Sequence, residues 1–179
     1  MRNAGCVSIG SLVDKSRKVG GTMRSASLET GRRIAVSLAP GDDLIGSIAS
    51  ACAHHRIAQG VIVTLSGAFR DVELIAAQTP SADPEPPLPE SVHIPYTEGI
   101  GSGTITTGAE GHVVHVHLAV GRKDAGARAF AGHVLAAEAH YVVEIVIDEV
   151  LNPRMLRTPS DQTWGLPTLD FAERAEATS

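Results

Sequence analysis

The stretch 112–144 sets the tightest limit on how this chain can fold. It runs His112-Val113-Val114-His115-Val116-His117-Leu118, passes through a polar turn and returns as Gly132-His133-Val134-Leu135. Side chains on a strand alternate faces with a period of two. His115 and His117 therefore share one face, and Val114, Val116 and Leu118 share the other, which suits a core. The connection Gly121-Arg122-Lys123-Asp124-Ala125-Gly126 is charged and small. As a hairpin or a crossover, it brings His133 back beside the first two. Three neutral imidazoles on a rigid sheet face suit a divalent metal, zinc first, with nickel and iron as further candidates. His112 and His140 have the opposite strand parity and are excluded, His140 on the condition that no bulge intervenes.

Composition narrows the core. Apolar residues make up 43% of the chain but aromatics only 3%, so Val, Ile, Leu and Ala must fill the interior. Such residues favour strands. At 179 residues the chain is read as one domain with tails. No apolar run approaches the roughly 18–20 residues needed to cross a bilayer, so no membrane partner is expected. The start of the chain has no continuous apolar segment of the secretory type. Cys6 and Cys52 lie in unrelated contexts and do not form a disulfide framework. A reducing, cytoplasmic location is the expectation.

Charge is uneven. Residues 1–33 carry a net +5, and the rest a net −10. Duplex DNA is a polyanion and its partners usually present a basic face. Only the 1–31 segment, read as a flexible basic arm, or a local patch on an oligomer can supply attraction.

Along the chain, 33–38 reads as a short strand. Pro40-Gly41 is a turn, and Asp42 or Asp43 can cap a helix over 44–57. Leu44, Ile48 and Cys52 recur at helical spacing, with Ile45 and Ala49, which makes Cys52 a core residue rather than a nucleophile. Gly60 is the predicted helix stop. Val61 to Leu65 is a strand, Ser66-Gly67-Ala68 a bend, and 72–77 the next strand. A nucleophile elbow around Ser66 is missing. Residues 78–95, dense in proline, read as a surface loop. Gly99, Gly101 and Gly103 precede β-type residues, which rules out a dinucleotide loop and points to close strand approach. From 134 to 150 one face carries Leu135, Ala137, Ala139, Tyr141, Val143, Ile145 and Ile147. The Ala-rich 134–139 also suits a helix, whereas 142–147 argues for strand. From Asn152 the chain reads as irregular, and 172–179 as a frayed tail.

These landmarks together resemble a known family. A strand, then Pro40-Gly41-Asp42-Asp43-Leu44, then Gly60-Val61-Ile62-Val63 and Ser66-Gly67-Ala68 precede Gly103-Thr104-Ile105, His115-x-His117, Gly132-His133 and Glu144-Ile145. Arg157, Asp161, Thr163, Gly165, Leu166 and Leu169 complete the pattern. This is similar to the plants-and-prokaryotes-conserved (PPC) domain, over residues 32–171. The resemblance implies an α+β single domain, a largely antiparallel β-sheet covered by helices, and usually a homotrimer. It implies a metal, often zinc, on His115, His117 and His133, and a provisional DNA-binding or regulatory label. Ala131 replaces a glycine common before Gly132-His133 in the family. No Arg-Gly-Arg-Pro hook occurs, so DNA binding by the isolated domain is expected to be weak or nil.

Two further function classes remain open at this stage. One is a zinc-dependent enzyme of hydrolase or lyase type, with metal-activated water and Glu144 as general base or as a partner orienting a ligand. The other is a structural trimer that binds a small molecule at the metal site.

Overall fold

A computed structural model describes residues 23–76 and 90–172. Expectations about Cys6, most of the basic arm, the centre of the proline-rich stretch and the last seven residues lie outside them. Strands account for 68% of the structure and helix for 12%. Among the described residues seven strands occur: β1 (Glu29–Leu38), β2 (Gly60–Ile75), β3 (Ser91–Gly108), β4 (Gly111–Arg122), β5 (Ala129–Asn152), β6 (Arg154–Pro159) and β7 (Pro167–Ala172). One α-helix, α1 (Leu44–His55), follows β1.

The main sheet runs β1-β5-β2-β3-β4, and β4 pairs again with β5. That second pairing closes β5, β2, β3 and β4 into a barrel-like ring of antiparallel strands. The expected α+β sheet covered by helices is therefore wrong. The physical reason is in β5. At 24 residues it is long enough to pair with β4 through its start and with β2 and β1 through the rest. Closure turns the buried aliphatic side chains of these strands toward one another, so strands rather than a layer of helices cover them.

Inside the ring, a stripe of glycines lets two strands come together. An added Cβ at Gly103 would collide with the carbonyl oxygen of His115, and one at Gly99 with that of Ala119. At Gly101 it would lie 2.6 Å from the carbonyl oxygen of His117. Close strand approach, read from the sequence at these three positions, is what they provide. The core beside them is aliphatic. Ile62, Leu65, Ile105, Val116, Leu118, Ile145 and Ile147 are buried, with Phe69 among them and Phe130, partly buried, packed against the cluster.

Helix α1 adds Leu44, Ile48 and Cys52 to this cluster, all fully buried. Burial pushes the Cys52 thiol up to about 11, which keeps it a protonated core residue. Asp43 caps the helix by accepting from Gly46 N–H at 2.6 Å. The stop comes at Arg56, in the left-handed region at φ 53°, and not at Gly60. Arg56 N–H donates to Ala53 O at 3.1 Å and Ile57 N–H to Cys52 O at 2.9 Å. These bonds satisfy carbonyls that the helix end leaves free. Gly60 instead opens β2 against Asp148, whose carbonyl an added Cβ would meet at 2.8 Å.

Three local expectations change as well. Ser66-Gly67-Ala68 does not divide two strands, because β2 continues through it. Opposite, Gly67 pairs with Val143 and Phe69 with Ala139, so β5 spends two extra residues around His140–Val142. That bulge, and further shifts over 134–139, break the strict alternation. Leu135 and Tyr141 end up exposed, while Val134 is buried. The segment after Asn152 is ordered: β6 and β7 form an antiparallel hairpin. Its entry is clamped by Gln59, whose side-chain amide donates to Val150 O (3.1 Å) and Pro153 O (2.9 Å) and accepts from Met155 N–H (2.7 Å). The clamp sits at a cis Asn152–Pro153 bond.

Candidate metal centre

Strand β4 presents His115 and His117 outward while Val116 and Leu118 face the core. The 122–128 connection is a hairpin turn held by Arg122–Asp124, with bonds of 2.8 and 2.6 Å. Gly126 and Ala127 take positive φ there, at 61° and 58°. This turn sets the register that places His133 directly opposite His117. His115 lies opposite Thr104 of β3. The three ring centroids are 4.9 to 5.3 Å apart. One donor nitrogen from each imidazole lies within 4.8 Å of the other two. Tetrahedral zinc–nitrogen bonds of about 2.0–2.1 Å hold their donors roughly 3.4 Å apart, so the imidazoles must close in on the ion by χ rotation. The donor set and its spacing fit a small divalent metal.

His112 and His140 lie outside the cluster. His112 Nε2 bonds Ile57 O at 2.7 Å, back toward α1. A bulge does occur at His140, but its ring packs against Tyr141 at 4.1 Å between centroids. Glu144 stands eleven residues beyond His133 on β5, roughly 35 Å of extended chain at about 3.3 Å per residue. It lines a separate depression with Ser37, Thr64 and Ser66.

A cation that the sequence reading left without a site role stands beside the histidines. Arg157 of β6 is half-buried, and its Nη2 donates to Thr104 Oγ1 at 2.5 Å, on the residue opposite His115. Nothing in the spacing reveals this. Arg157 comes 24 residues after His133, in a hairpin of its own.

Burial and neighbouring charge favour the neutral form of two of the donors. Burial, and then the charge of Arg157, push His115 down to about 4. Burial, then His117 and Arg157, also lower His133. The exposed unfolded imidazole takes up its proton near about 6.5. Folding stability of the metal-free protein is therefore whole above that value and declines as pH falls toward 4. Melting temperatures between pH 7.5 and 4.5 should show this decline, and His115→Ala should flatten it. His93, raised by Asp71, works in the opposite sense, so an unchanged slope in the variant would count against the role of His115.

The comparisons with known proteins bear on this arrangement. A model of the Plants and Prokaryotes Conserved domain matches residues 25–151. The chain belongs to the PPC family. Among solved structures, a PPC protein of Pyrococcus horikoshii aligns over 82% of this chain and 97% of its own, at TM-score 0.67 and 19% identity. A metal-containing protein of Archaeoglobus fulgidus aligns over 84% and 100%, at 0.65 and 21%. A protein of Bacteroides thetaiotaomicron, described provisionally as DNA-binding, aligns over 80% and 97%, at 0.61 and 23%. At these identities the likeness establishes the PPC fold. No curated protein matches the chain. No helix among the described residues is long and apolar enough to cross a membrane.

Proposed function

We propose that this PPC-domain protein holds a divalent metal, zinc first, on His115, His117 and His133, with a coordination position left for an exchangeable ligand. The observation that supports this most directly is the convergence of the three imidazole donors within 4.8 Å. Rigid strands position two of them, a fixed hairpin register positions the third, and depressed proton affinity keeps His115 and His133 ready to ligate. When bound, zinc with three imidazoles supplies a Lewis acid and can bring the pKa of its water toward about 7. The Archaeoglobus relative described as metal-containing supports the same reading. Glu144, in its separate depression, is given no part in it.

The proposal includes a homotrimer. Val63, Val142 and Leu151 remain 44–54% exposed in the isolated chain, apolar surface that a neighbouring copy would cover. Light scattering and metal analysis on one chromatographic peak, without chelators, test both parts. Three chain masses with about one metal per chain are expected. A monomer overturns the assembly, and protein that takes up no zinc, nickel or iron at neutral pH overturns the metal site.

The DNA-binding description of relatives extends here only as weak, sequence-independent association. Among the described basic residues of the N-terminal segment, Arg24 pairs with Asp170 at 2.5 Å, Arg32 with Glu149 at 2.8 Å and Arg33 with Asp148 at 2.6 Å. Their charge is largely answered by the body of the protein. Anisotropy with a labelled duplex should show binding that disappears in moderate salt and on deletion of residues 1–31. Tight, sequence-selective binding by the deleted form would refute this reading.

A further inference from the structure

We infer that the three-histidine site is an anion receptor: its exchangeable ligand is a small carboxylate, held between the metal and the Arg157 guanidinium. The inference rests on the metal reading above and names the class of ligand.

Arg24, Arg32, Arg33, Arg70 and Arg122 each pair with a carboxylate. Half-buried Arg157 has no ion pair among the described residues. One of its donors goes to Thr104 Oγ1, and its Nε is buried with no hydrogen-bond partner among the described residues. The metal-ligand cluster contains no Asp or Glu either. A divalent ion on the three imidazoles beside this guanidinium gathers three positive charges, and no carboxylate among the described residues pairs with them. Partly desolvated charge of one sign is costly, and an anion relieves it. A guanidinium presents several donors in one plane, which suits a carboxylate whose second oxygen is on the metal.

Shape limits the size. Thr104 and Ser102 alternate along the outer face of β3, opposite His115 and His117. Beyond His117 lies a shallow depression lined by Ile100, Gly101, Ser102, Ala119, Ala131 and Gly132. Its walls are small and mostly apolar. A ligand with its carboxylate at the Arg157 end and a short apolar body in this depression fits both halves.

Cobalt(II) makes the site visible. The cobalt-loaded full chain is titrated at pH 7.5 with acetate, with neutral acetamide and with inorganic phosphate, following the visible absorption bands. Acetate should shift the bands saturably and acetamide should not. Arg157→Gln should keep its cobalt but require about tenfold more acetate or worse, the usual cost of losing a charge-assisted hydrogen bond. Arg157→Lys keeps the charge without the planar fork. It should fall between the two, and it carries the test if the Gln variant does not fold. Cobalt-loaded variants that bind acetate as the parent does would overturn the inference while leaving the metal site standing. Equal response to acetamide would overturn it as well, and a response to phosphate alone would overturn the carboxylate assignment. Failure of the parent chain to take up cobalt would remove the metal reading and this one together.

Discussion

Alanine at His115, His117 or His133 is expected to lower bound zinc by about tenfold or more at each position. Loss of an outer-sphere partner alone typically costs 10- to 100-fold in metal affinity, and removal of a ligand should cost no less. The three effects should be similar in size because each residue supplies one donor. His112→Ala and His140→Ala are the controls. His112 is committed to Ile57 O, and His140 packs against Tyr141, so neither substitution should change metal content. Competition with a chromophoric chelator measures all five variants on one scale. A loss at His112 equal to that at His115 would mean that the donor set is wrong.

Gly103→Ala should be among the most damaging single substitutions in the sheet, although it adds one methyl group. The new Cβ overlaps the carbonyl oxygen of His115 and comes within 3.1 Å of Val116 Cα. Both are backbone atoms, so no side-chain rotation relieves the contact. β3 must move away from β4 where His115 projects toward the site. Overpacking of this kind costs about 1–3 kcal/mol, occasionally more. Two losses are expected together: a melting temperature lower by several degrees, and weaker zinc binding, because His115 moves with its backbone. Ser102→Ala, at the exposed neighbouring position, should leave thermal stability within about 0.5 kcal/mol. Calorimetry on the metal-free proteins separates the packing cost from the loss of metal. A Gly103→Ala protein as stable as its parent would show that the strands are not held as closely as described.

What was legible in the sequence was local. The period-two spacing of His115 and His117, and a turn short enough to be a hairpin, are properties of adjacent residues, and they suffice to bring three imidazoles together. The cap at Asp43 and the apolar face of α1 are local in the same sense. Closure of the ring is not. It depends on β5 meeting β4 with its first residues and β1 with its last, and no window of sequence shows that one strand will serve three partners. The bulge around His140–Val142 escaped for a related reason. Its signal is a mismatch between two strands far apart in sequence, so alternation read from β5 alone put Leu135 and Tyr141 on one face with Val143, Ile145 and Ile147, which are buried while those two are exposed. The β6–β7 hairpin carries little period-two hydrophobic signal: Met155 is buried, most of its other side chains are half-buried, and its entry is held by the buried Gln59. Arg157 reaches the histidines only once that hairpin is docked, which is why residue spacing assigned it no role at the site.

The coordination of the bound ion is the most direct test of the central claim. X-ray absorption at the zinc edge, on the zinc-loaded full chain, reports the ligands themselves. Three imidazole nitrogens near about 2.0–2.1 Å, with the multiple scattering of the ring and one further oxygen, are the expected result. A sulfur shell near about 2.3 Å, or fewer than three imidazoles, would contradict a site built from His115, His117 and His133.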